Sequence, residues 1–261
     1  MTHAEHAAAL FAARRSRIAI PPLSESDPSL TATDAYAIQQ EYVRLLCANE
    51  GGEIVGYKLG LTSKAMQDLL GVHEPDYGPV LSSMVFEDGV TVELGDYIQP
   101  KVEAEIALVL GRPVRGPGVT TSDVWQALAG AIAAIEMVDS RIADWRISLV
   151  DTIADLASSA ATVKGGRVVP VDFDPRLTGM VITRNGETMA TGAGAAALTN
   201  PVSAVAWLAN TLAPFGVTLE PGQFVMTGSL HAAFAVTPGD VIVAEFDRLG
   251  TVTMRCAGGE R

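Results

Sequence analysis

Cysteine is scarce in this chain, whose 261 residues include only Cys47 and Cys256. Their separation matches no metal-binding spacing, so neither a zinc motif nor a disulfide framework is predicted. So few cysteines are typical of proteins that work in a reducing compartment. The N-terminal residues also lack a basic region that leads into an apolar segment, so we expect no signal peptide and a cytoplasmic protein.

Basic residues are scarce as well. The chain has 18 lysines and arginines against 30 aspartates and glutamates, which gives a formal net charge of −12. This balance argues against binding of nucleic acid, whose phosphates need a basic surface. It does not exclude an anionic small molecule, because a bound cation can reverse the local field. No apolar run reaches the roughly 18 residues of a membrane span, so we expect no membrane partner.

Several common catalytic and nucleotide-binding signatures are missing too. The sequence has no G-x-S-x-G, no P-loop and no G-x-G-x-x-G after a strand. His231 follows Ser229 closely, but no acid–base partner can be assigned to it. The usual nucleophile and nucleotide motifs therefore do not explain the function.

The order of helical and strand patterns predicts two parts. Helical patterns in the first part lead us to interpret residues 1–52 as a small N-terminal helical appendage. In residues 53–261, short strands are punctuated by glycine and proline, which predicts a strand-rich α+β catalytic domain. The expected elements are helices over 5–17, from near Thr33 and Asp34 to a point before Gly51, over 63–70, 121–130 and 151–159, and from Pro201; strands over 53–60, 91–94, 101–110 and 131–138 and near 238–240 and 247–250; a hairpin over 181–190; and a loop over 73–79.

Two glutamates, Glu103 and Glu105, stand in an otherwise apolar predicted strand. Side chains two residues apart in a strand point the same way, so both carboxylates lie on one face, about 7 Å apart along the strand. A third acid, Glu136, occurs in a second apolar run. Three converging carboxylates suit a hard divalent ion such as Mg²⁺ or Mn²⁺. The alternative is a strand with one face in solvent, whose acids bind nothing.

Lys58 lies among apolar neighbours in the predicted strand 53–60, and Asp76 lies in the predicted loop 73–79. A lysine in this setting either extends its ammonium group to solvent at a sheet edge or occupies a polar pocket. In a pocket it could bind a carboxylate or exchange a proton. An acid in a loop is commonly just solvated, so neither residue identifies a function by itself.

Several longer motifs follow one another along the chain. They are GYKLGLTSKAMQ (56–67), EPDYG (74–78), VEAEI (102–106), IEMVDSRIADW (135–145), DTIAD (151–155) and NPVSAVAWLAN (200–210). From about residue 30 onward, the chain strongly resembles the 2-keto-4-pentenoate hydratase and 4-oxalocrotonate decarboxylase family of the fumarylacetoacetate hydrolase-like superfamily. The resemblance implies the mixed β fold of that superfamily.

The resemblance also implies roles for individual residues. It implies that Glu103, Glu105 and Glu136 hold Mg²⁺ or Mn²⁺. It implies that Lys58 and Asp76 are catalytic. Implied substrate contacts are Leu59, Ser158, Thr227 and Ser229.

The chain departs from the family at Leu156. Family members usually have asparagine at this position, directly after the residue that corresponds to Asp155. The exchange removes a polar side chain next to Ser158 and Ser159. It therefore calls into question the polar contacts expected of these two serines.

The activity that the resemblance implies is that of a metal-dependent hydratase acting on a small 2-oxo or 2-hydroxydienoic acid. With 2-hydroxypenta-2,4-dienoate or a longer homologue, protonation at C5, addition of water at C4 and protonation at C3 would give a 4-hydroxy-2-oxo acid. Such a step belongs to the breakdown of aromatic compounds or steroids. Lys58 and Asp76 are the candidates for proton transfer and for orienting water, with their division of labour left open.

Two alternatives stay open. The first is a decarboxylase acting on 2-oxohex-3-enedioate, because the segment MTGSLHAA (226–233) resembles the decarboxylases, whereas the region 56–78 resembles the hydratases. The second is a non-catalytic partner subunit of such an enzyme. The family also implies a homo-oligomer and, in some members, a complex between a hydratase and a decarboxylase.

Overall fold

The computed structural model describes residues 1–63, 67–68 and 72–258, so most of the helix expected over 63–70 lies outside the described residues. The helices are α1 (His3–Ser16), α2 (Leu23–Ser26), α3 (Ala32–Glu50), α4 (Thr121–Ala127), α5 (Leu149–Ala154) and α6 (Pro201–Leu212). The strands are β1 (Ile54–Gly60), β2 (Asp76–Leu81), β3 (Val85–Glu87), β4 (Thr91–Glu93), β5 (Lys101–Leu110), β6 (Leu128–Val138), β7 (Ser159–Lys164), β8 (Gly179–Arg184), β9 (Glu187–Ala193), β10 (Phe224–Ser229), β11 (Phe234–Ala235), β12 (Val241–Phe246) and β13 (Gly250–Ala257). The expected strand-rich α+β class is confirmed.

Helix α3 begins two residues before the position expected from the sequence. Its N-cap is Thr31, whose hydroxyl oxygen accepts a hydrogen bond from the Asp34 amide at 3.2 Å. The Asp34 carboxylate in turn accepts from the Thr31 amide at 2.9 Å, which completes a capping box. The expectation of an N-cap at Thr33 was therefore wrong. The N-cap is Thr31, and Asp34 is the third residue of the helix, whose side chain accepts a hydrogen bond from the N-cap amide.

Within the described residues, eight strands form the larger sheet. Seven follow the order β2-β1-β10-β5-β6-β7-β3, and β11 pairs with the start of β5. The pairs β1–β10 and β3–β7 are parallel, and the other pairs of this sheet are antiparallel. The strands that carry Lys58, Glu103, Glu105 and Glu136 therefore belong to one sheet, with β5 at its centre, β6 beside it and β1 on the other side of β10.

The smaller sheet has the order β4-β13-β12-β8-β9 among the described residues. The expected hairpin is confirmed in β8 and β9. Both turn residues, Asn185 at φ 55° and Gly186 at φ 83°, have the positive φ that a type I′ turn requires. The last strands of the chain begin at the ends of the expected positions, because residues 238–240 and 247–249 form the turns that lead into β12 and β13, and β13 begins at Gly250.

Four sequence-based assignments need correction. The expected loop 73–79 becomes strand β2 from Asp76 onward, and Pro79 is tolerated there because β2 is an edge strand. The helix expected over 121–130 ends at Ala127, where β6 begins. The helix expected over 151–159 ends at Ala154, and strands β7 and β10 were not expected from the periodicity.

The register of the larger sheet defines a face that carries the site. Lys58 is paired with Met226, and Met226 with Ala107, two residues from Glu105. Because cross-strand partners share a face, these side chains point to the same side of the sheet. The N-terminal helices pack on this side in one hydrophobic cluster, whose members include Leu10, Ile38, Tyr42, Leu46, Val80, Ala107, Ile132 and Met226.

The opposite face of the larger sheet packs against α6 and the smaller sheet. This second cluster includes Val102, Ile106, Leu108, Val205, Leu208, Ile242 and Val252. Full burial of a large apolar side chain contributes about 1.5–3 kcal/mol, so both layers are held firmly to the central sheet. The boundary at residue 52 stays a prediction, and residues on both sides of it share the helix-side cluster. No helix in the described part of the chain is long and apolar enough to cross a membrane.

Candidate active site

Strands β5 and β6 bring three carboxyl groups together. Glu103 is the direct cross-strand partner of Glu136, and Glu105 lies two residues further along β5 on the same face. One carboxylate oxygen from each residue lies within 4.8 Å of the others. Glu105 and Glu136 are fully buried, and Glu103 is partly buried. The alternative, in which the acids of this strand simply face solvent, is therefore wrong for Glu105, and the opposing Glu136 is equally buried.

The buried carboxyl groups hold their protons unusually tightly. Burial and the neighbouring Glu136 raise the pKa of Glu103 to about 7, although the Lys58 charge opposes them. Burial, Glu136 and Glu103 raise the pKa of Glu105 well above its usual range. Burial likewise raises the pKa of Glu136, against the opposing effect of Lys58. Like charges at this spacing are costly unless a cation joins them.

The hydrogen bonds at the carboxylates leave room for a ligand. The Gly228 amide donates to Glu105 Oε2 at 2.8 Å. Within the described residues, Glu105 Oε1 and Glu136 Oε1 are buried and receive no hydrogen bond. Buried carboxylate oxygens without a donor are rare unless a cation or water satisfies them. The donor set, all oxygen and close together, therefore fits a hard divalent ion.

Gly228 is required by the backbone geometry beside this cluster. Its φ of +113° lies in the region that favours glycine, and a Cβ there would collide with the Thr62 hydroxyl. The residue sits at an irregularity of β10, between the ladder positions Met226 and Ser229. This irregularity turns the Gly228 amide toward Glu105, which a regular ladder does not do.

Lys58 extends its ammonium group from β1 to the acid cluster. Its Nζ lies 3.3 Å from Glu136 Oε2 and donates to the Ala157 carbonyl at 2.8 Å. Burial by itself would lower the pKa of this amine, but the surrounding carboxylates outweigh burial and raise the pKa, Glu136 most of all. Of the two interpretations open from the sequence, the structure supports a lysine in a polar pocket. Lys58 therefore stays charged and supplies a fixed cation.

The carbonyl that receives Lys58 belongs to a left-handed turn. Leu156, Ala157 and Ser158 have φ of 60°, 51° and 59°. Left-handed backbone costs roughly 1–2 kcal/mol at a residue with a side chain, and asparagine tolerates it better than leucine. A Cβ on Gly78 would collide with the Leu156 carbonyl, which explains the glycine at that position. Leu156 compensates in part by burying its side chain in the helix-side cluster.

Asp76 is fully buried at the start of β2. Its Oδ2 accepts a hydrogen bond from the Thr152 hydroxyl at 3.1 Å, and Oδ1 has no hydrogen-bond partner among the described residues. Burial raises the pKa of this carboxyl group, while the Lys58 charge and the Thr152 bond lower it less strongly. Gly60 has no side chain to occupy the space where Oδ1 lies. Asp76 is therefore a constrained acid rather than a solvated loop residue.

A buried ion pair fixes the segment that contains the left-handed turn. Arg141 Nε donates to Asp155 Oδ1 at 2.5 Å, and Arg141 Nη2 donates to the Asp155 carbonyl at 2.7 Å. The Arg141 amide donates to Asp155 Oδ2 at 2.9 Å. Burial raises the pKa of Asp155 to about 6 even beside the guanidinium group. The pair ties the end of β6 to the turn that presents the Ala157 carbonyl.

The four predicted substrate contacts occupy different environments. The side chain of Leu59 is buried in the core on the opposite face of the sheet from Lys58. The Thr227 hydroxyl donates to the Ile106 carbonyl at 2.8 Å, and the Ser229 hydroxyl donates to the His231 carbonyl at 2.6 Å. The protons of both hydroxyl groups are therefore already used, and the Ser229 oxygen also accepts a hydrogen bond from the His231 amide at 3.3 Å.

Ser158 differs from the other three predicted contacts. Its hydroxyl, like that of the neighbouring Ser159, is buried and has no hydrogen-bond partner within the described part of the chain. Substrate binding by Leu59, Ser158, Thr227 and Ser229 stays a prediction.

Sequence reasoning missed Thr152, Arg141 and Gln39. Thr152 and Arg141 lie in motifs that the resemblance identifies, but periodicity gives no sign of their hydrogen bonds. Gln39 has a visible signal, because it occupies an apolar position of the α3 stripe formed by Ala35, Ile38, Tyr42 and Leu46. A polar residue on a buried helix face needs a partner elsewhere in the fold.

Comparisons with known proteins identify the family of this chain. Residues 72–257 match the model of the fumarylacetoacetate (FAA) hydrolase C-terminal family. The chain is 46% identical over 247 residues to a 2-keto-4-pentenoate hydratase of Paraburkholderia phymatum, covering 94% of each chain. It is 43% identical over 229 residues to a 4-oxalocrotonate decarboxylase of Pseudomonas putida, covering 87% of this chain and 86% of that one.

A solved structure of a related enzyme shares the whole fold. The 4-oxalocrotonate decarboxylase from Pseudomonas putida G7, complexed with magnesium and adipate, superposes with a TM-score of 0.91 at 36% identity and covers 98% of each chain. That protein binds a divalent metal together with a dicarboxylic acid. The chain belongs to the fumarylacetoacetate hydrolase family, among the 2-keto-4-pentenoate hydratases and their decarboxylase relatives.

Proposed function

We propose that this protein is a metal-dependent hydratase that adds water to 2-hydroxypenta-2,4-dienoate or a longer homologue, giving a 4-hydroxy-2-oxo acid. The observation that supports it most is the convergence of three carboxylates, Lys58 and Asp76 on one side of the larger sheet. Hydratase relatives at 43–46% identity over 94–95% of this chain support the reaction class.

Glu103, Glu105 and Glu136 hold the divalent ion, Mg²⁺ or Mn²⁺, in this proposal. The ion when bound supplies Lewis acidity to the oxygen atoms of a 2-oxo acid. Binding it requires the three carboxyl groups to release protons that burial makes them hold. The ionised carboxylates then satisfy the ion, which removes the repulsion between them.

Lys58 and Asp76 divide the remaining work according to their charge states. The neighbouring carboxylates raise the pKa of Lys58 and favour its ammonium form, so we assign its Nζ to orienting a substrate anion. Burial raises the pKa of Asp76, so its carboxyl group takes up a proton more readily than an ordinary aspartate does, as a proton-exchanging group requires. We infer that Asp76 exchanges the proton with substrate or water, and that the Thr152 hydroxyl keeps its carboxyl group in place.

A second candidate is the decarboxylase activity on 2-oxohex-3-enedioate. It is favoured by the 43% identity to a 4-oxalocrotonate decarboxylase, equal to that of several hydratases. The same site serves it, because the carbon–carbon bond to the leaving carboxylate breaks and its electron pair moves toward the 2-oxo group. Lys58 and the three glutamates would hold the substrate in either reaction.

One assay separates the possibilities. The purified protein is incubated with Mg²⁺ and either the monocarboxylic dienoate or the dicarboxylic substrate, while dienoate absorbance and released CO₂ are followed. A hydratase consumes the dienoate without CO₂, and a decarboxylase releases CO₂ from the dicarboxylic acid. A protein that binds no Mg²⁺ and turns over neither substrate fits the non-catalytic partner subunit instead.

We also propose the cellular setting that this function implies. The protein acts in the cytoplasm, in the breakdown of aromatic compounds or steroids, and assembles with copies of itself. A complex with a hydratase or decarboxylase partner is a further proposal. Analytical ultracentrifugation of the purified chain, alone and mixed with such a partner, tests both kinds of assembly.

A further inference from the structure

Gln39 is a buried amide on the apolar face of α3. Only 3% of the residue is exposed, and its helical neighbours on that face are Ala35, Ile38 and Tyr42. A buried amide costs free energy unless its donors are satisfied. The next residue, Gln40, is exposed at the same helix and provides a natural comparison.

The amide of Gln39 donates to two main-chain carbonyls. Nε2 lies 2.9 Å from the Tyr77 oxygen and 2.7 Å from the Ile153 oxygen. An amide nitrogen carries two protons, so one group can satisfy both carbonyls at once. Because both partners can only accept, the nitrogen rather than the oxygen of the amide must face them. Gln39 therefore joins strand β2 to helix α5.

The two carbonyls lie next to the residues that hold Asp76. Tyr77 directly follows Asp76 in β2, and Ile153 directly follows Thr152 in α5. Between these segments runs the hydrogen bond from the Thr152 hydroxyl to Asp76 Oδ2, 3.1 Å long. The two hydrogen bonds of Gln39, which we call the Gln39 clamp, therefore connect the same two segments as the bond from Thr152 to Asp76. In both β2 and α5, the clamp contacts the residue that directly follows the one in that bond.

The position of β2 makes this clamp important. β2 is the edge strand of the larger sheet and pairs only with β1 among the described strands. A carbonyl on its outer side has no ladder partner and must find a donor elsewhere. Stacking of the Tyr36 ring on the Tyr77 ring, with centroids 4.6 Å apart, further shows that α3 covers this edge.

We propose that Gln39 is a positioning residue for Asp76: by clamping β2 to α5, it sets the distance over which Thr152 holds the Asp76 carboxyl group. This inference rests on the proposed role of Asp76 in proton transfer. It gives the N-terminal helices a role in the site, whereas the proposed metal ligands and catalytic residues all lie on strands. Displacing a catalytic group by about 1 Å can lower the rate on the order of 100-fold.

The test replaces Gln39 with methionine, which keeps the length of the side chain and removes the donor. We expect Gln39→Met to lower kcat about 10- to 100-fold in the presence of Mg²⁺, with KM and the Mg²⁺ affinity changed less than about twofold. Gln40→Met is the matched control and should match the wild type in all three quantities. Should Gln39→Met not fold, Gln39→Asn keeps an amide that is too short to reach both carbonyls, and the same loss in kcat is expected.

A double-mutant cycle distinguishes positioning from a general loss of stability. If Gln39 acts through Thr152, Gln39→Met has little further effect on kcat once Thr152→Val has removed the hydroxyl. If the fold-losses in kcat of Gln39→Met and Thr152→Val instead multiplied in the double variant, the proposal would be overturned. A kcat of Gln39→Met equal to that of the wild type would also overturn it.

A structural measurement separates this proposal from the proposed function. Crystal structures of the wild type and of Gln39→Met give the distance from Thr152 Oγ1 to Asp76 Oδ2 without any assay. We expect about 3.1 Å in the wild type and a broken contact, beyond 3.5 Å, in the variant. An unchanged distance overturns the positioning role. Absence of wild-type turnover on the dienoate refutes the proposed function alone, and the positioning role is then decided by this distance.

Discussion

Glu103 and Glu136 lie directly opposite each other on neighbouring strands, with their side chains on the same buried face of the sheet. Carboxylates in such a cross-strand pair repel each other, and burial removes the water that would screen them. Burial, with a smaller contribution from the charge of Glu136, raises the pKa of Glu103 to about 7. A divalent cation removes the repulsion, so the arrangement is unfavourable for stability by itself and favourable for binding an ion.

The first prediction concerns the pH dependence of stability without metal. The pKa of Glu103 rises from an ordinary value of 4.5 to about 7 on folding, so the folded state holds the proton more tightly. The free energy of unfolding therefore falls as pH rises through the window from about 4.5 to about 7. Glu103→Gln removes this loss, and at pH 8 the metal-free variant should be more stable than the wild type by on the order of 1–3 kcal/mol.

Urea unfolding in EDTA at pH 4.5 and pH 8 measures this difference. With Mg²⁺ at pH 8, the wild type should instead be more stable than Glu103→Gln. An ion at 100 times its Kd stabilises the wild type by about 2.7 kcal/mol. Glu93→Gln, at an exposed position of β4, is the control and should follow the wild type. Equal stabilities of wild type and Glu103→Gln in EDTA at both pH values would contradict the raised pKa of Glu103.

The second prediction separates the role of Lys58 from metal binding. Lys58→Met removes the ammonium group but none of the carboxylates, so one Mg²⁺ per chain should still bind, as measured by calorimetry. Turnover of the dienoate should fall by about 10²–10³ because the cation that orients the substrate anion is lost. Lys164→Met, at a lysine paired with the exposed Glu87, should keep full activity. Loss of Mg²⁺ binding in Lys58→Met would assign this lysine to the metal site instead.

The third prediction concerns the ion pair between Arg141 and Asp155. Arg141→Met leaves a buried carboxylate without its cation, which should lower the free energy of unfolding by about 3–5 kcal/mol at pH 8. The loss should shrink at pH 5, because the raised pKa of Asp155 lets the carboxyl group take up a proton there.

Adding Asp155→Asn to Arg141→Met should recover part of this loss, because the amide carries no charge and its oxygen can still accept from the main chain of residue 141. Denaturant unfolding of the single and double variants gives both numbers. If Arg141→Met lost less than about 1 kcal/mol at pH 8, the pair would not be what holds the left-handed turn in place.

The sequence allowed the main chemistry of the site to be predicted, and particular residues show why. Alternation in β5 placed Glu103 and Glu105 on one face, the neighbouring sequence singled out Glu136, Lys58 and Asp76, and the family resemblance supplied their roles. The fold class and the family are confirmed by the structure and by the relatives. The functional roles of these residues stay predictions until they are tested by substitution.

Other features depend on contacts between distant segments of the chain, and the hydrophobic periodicity of the sequence does not predict such contacts. The end of α4 at Ala127 and the strand at Asp76 follow from sheet pairing that overrides local helix or loop signals. The bond between Arg141 and Asp155 and the left-handed turn at Leu156 form only when β6 and α5 meet. Gln39 was detectable as a polar residue on an apolar helix face, but its partners were not.

Removal and return of the metal tests the central claim most directly. The protein is stripped with EDTA, and consumption of 2-hydroxypenta-2,4-dienoate is measured before and after addition of Mg²⁺, for the wild type and for Glu105→Gln. We predict background turnover in the stripped protein, recovery with about one Mg²⁺ per chain in the wild type, and no recovery in a folded Glu105→Gln. Full turnover by metal-free protein, or by Glu105→Gln, would contradict the account.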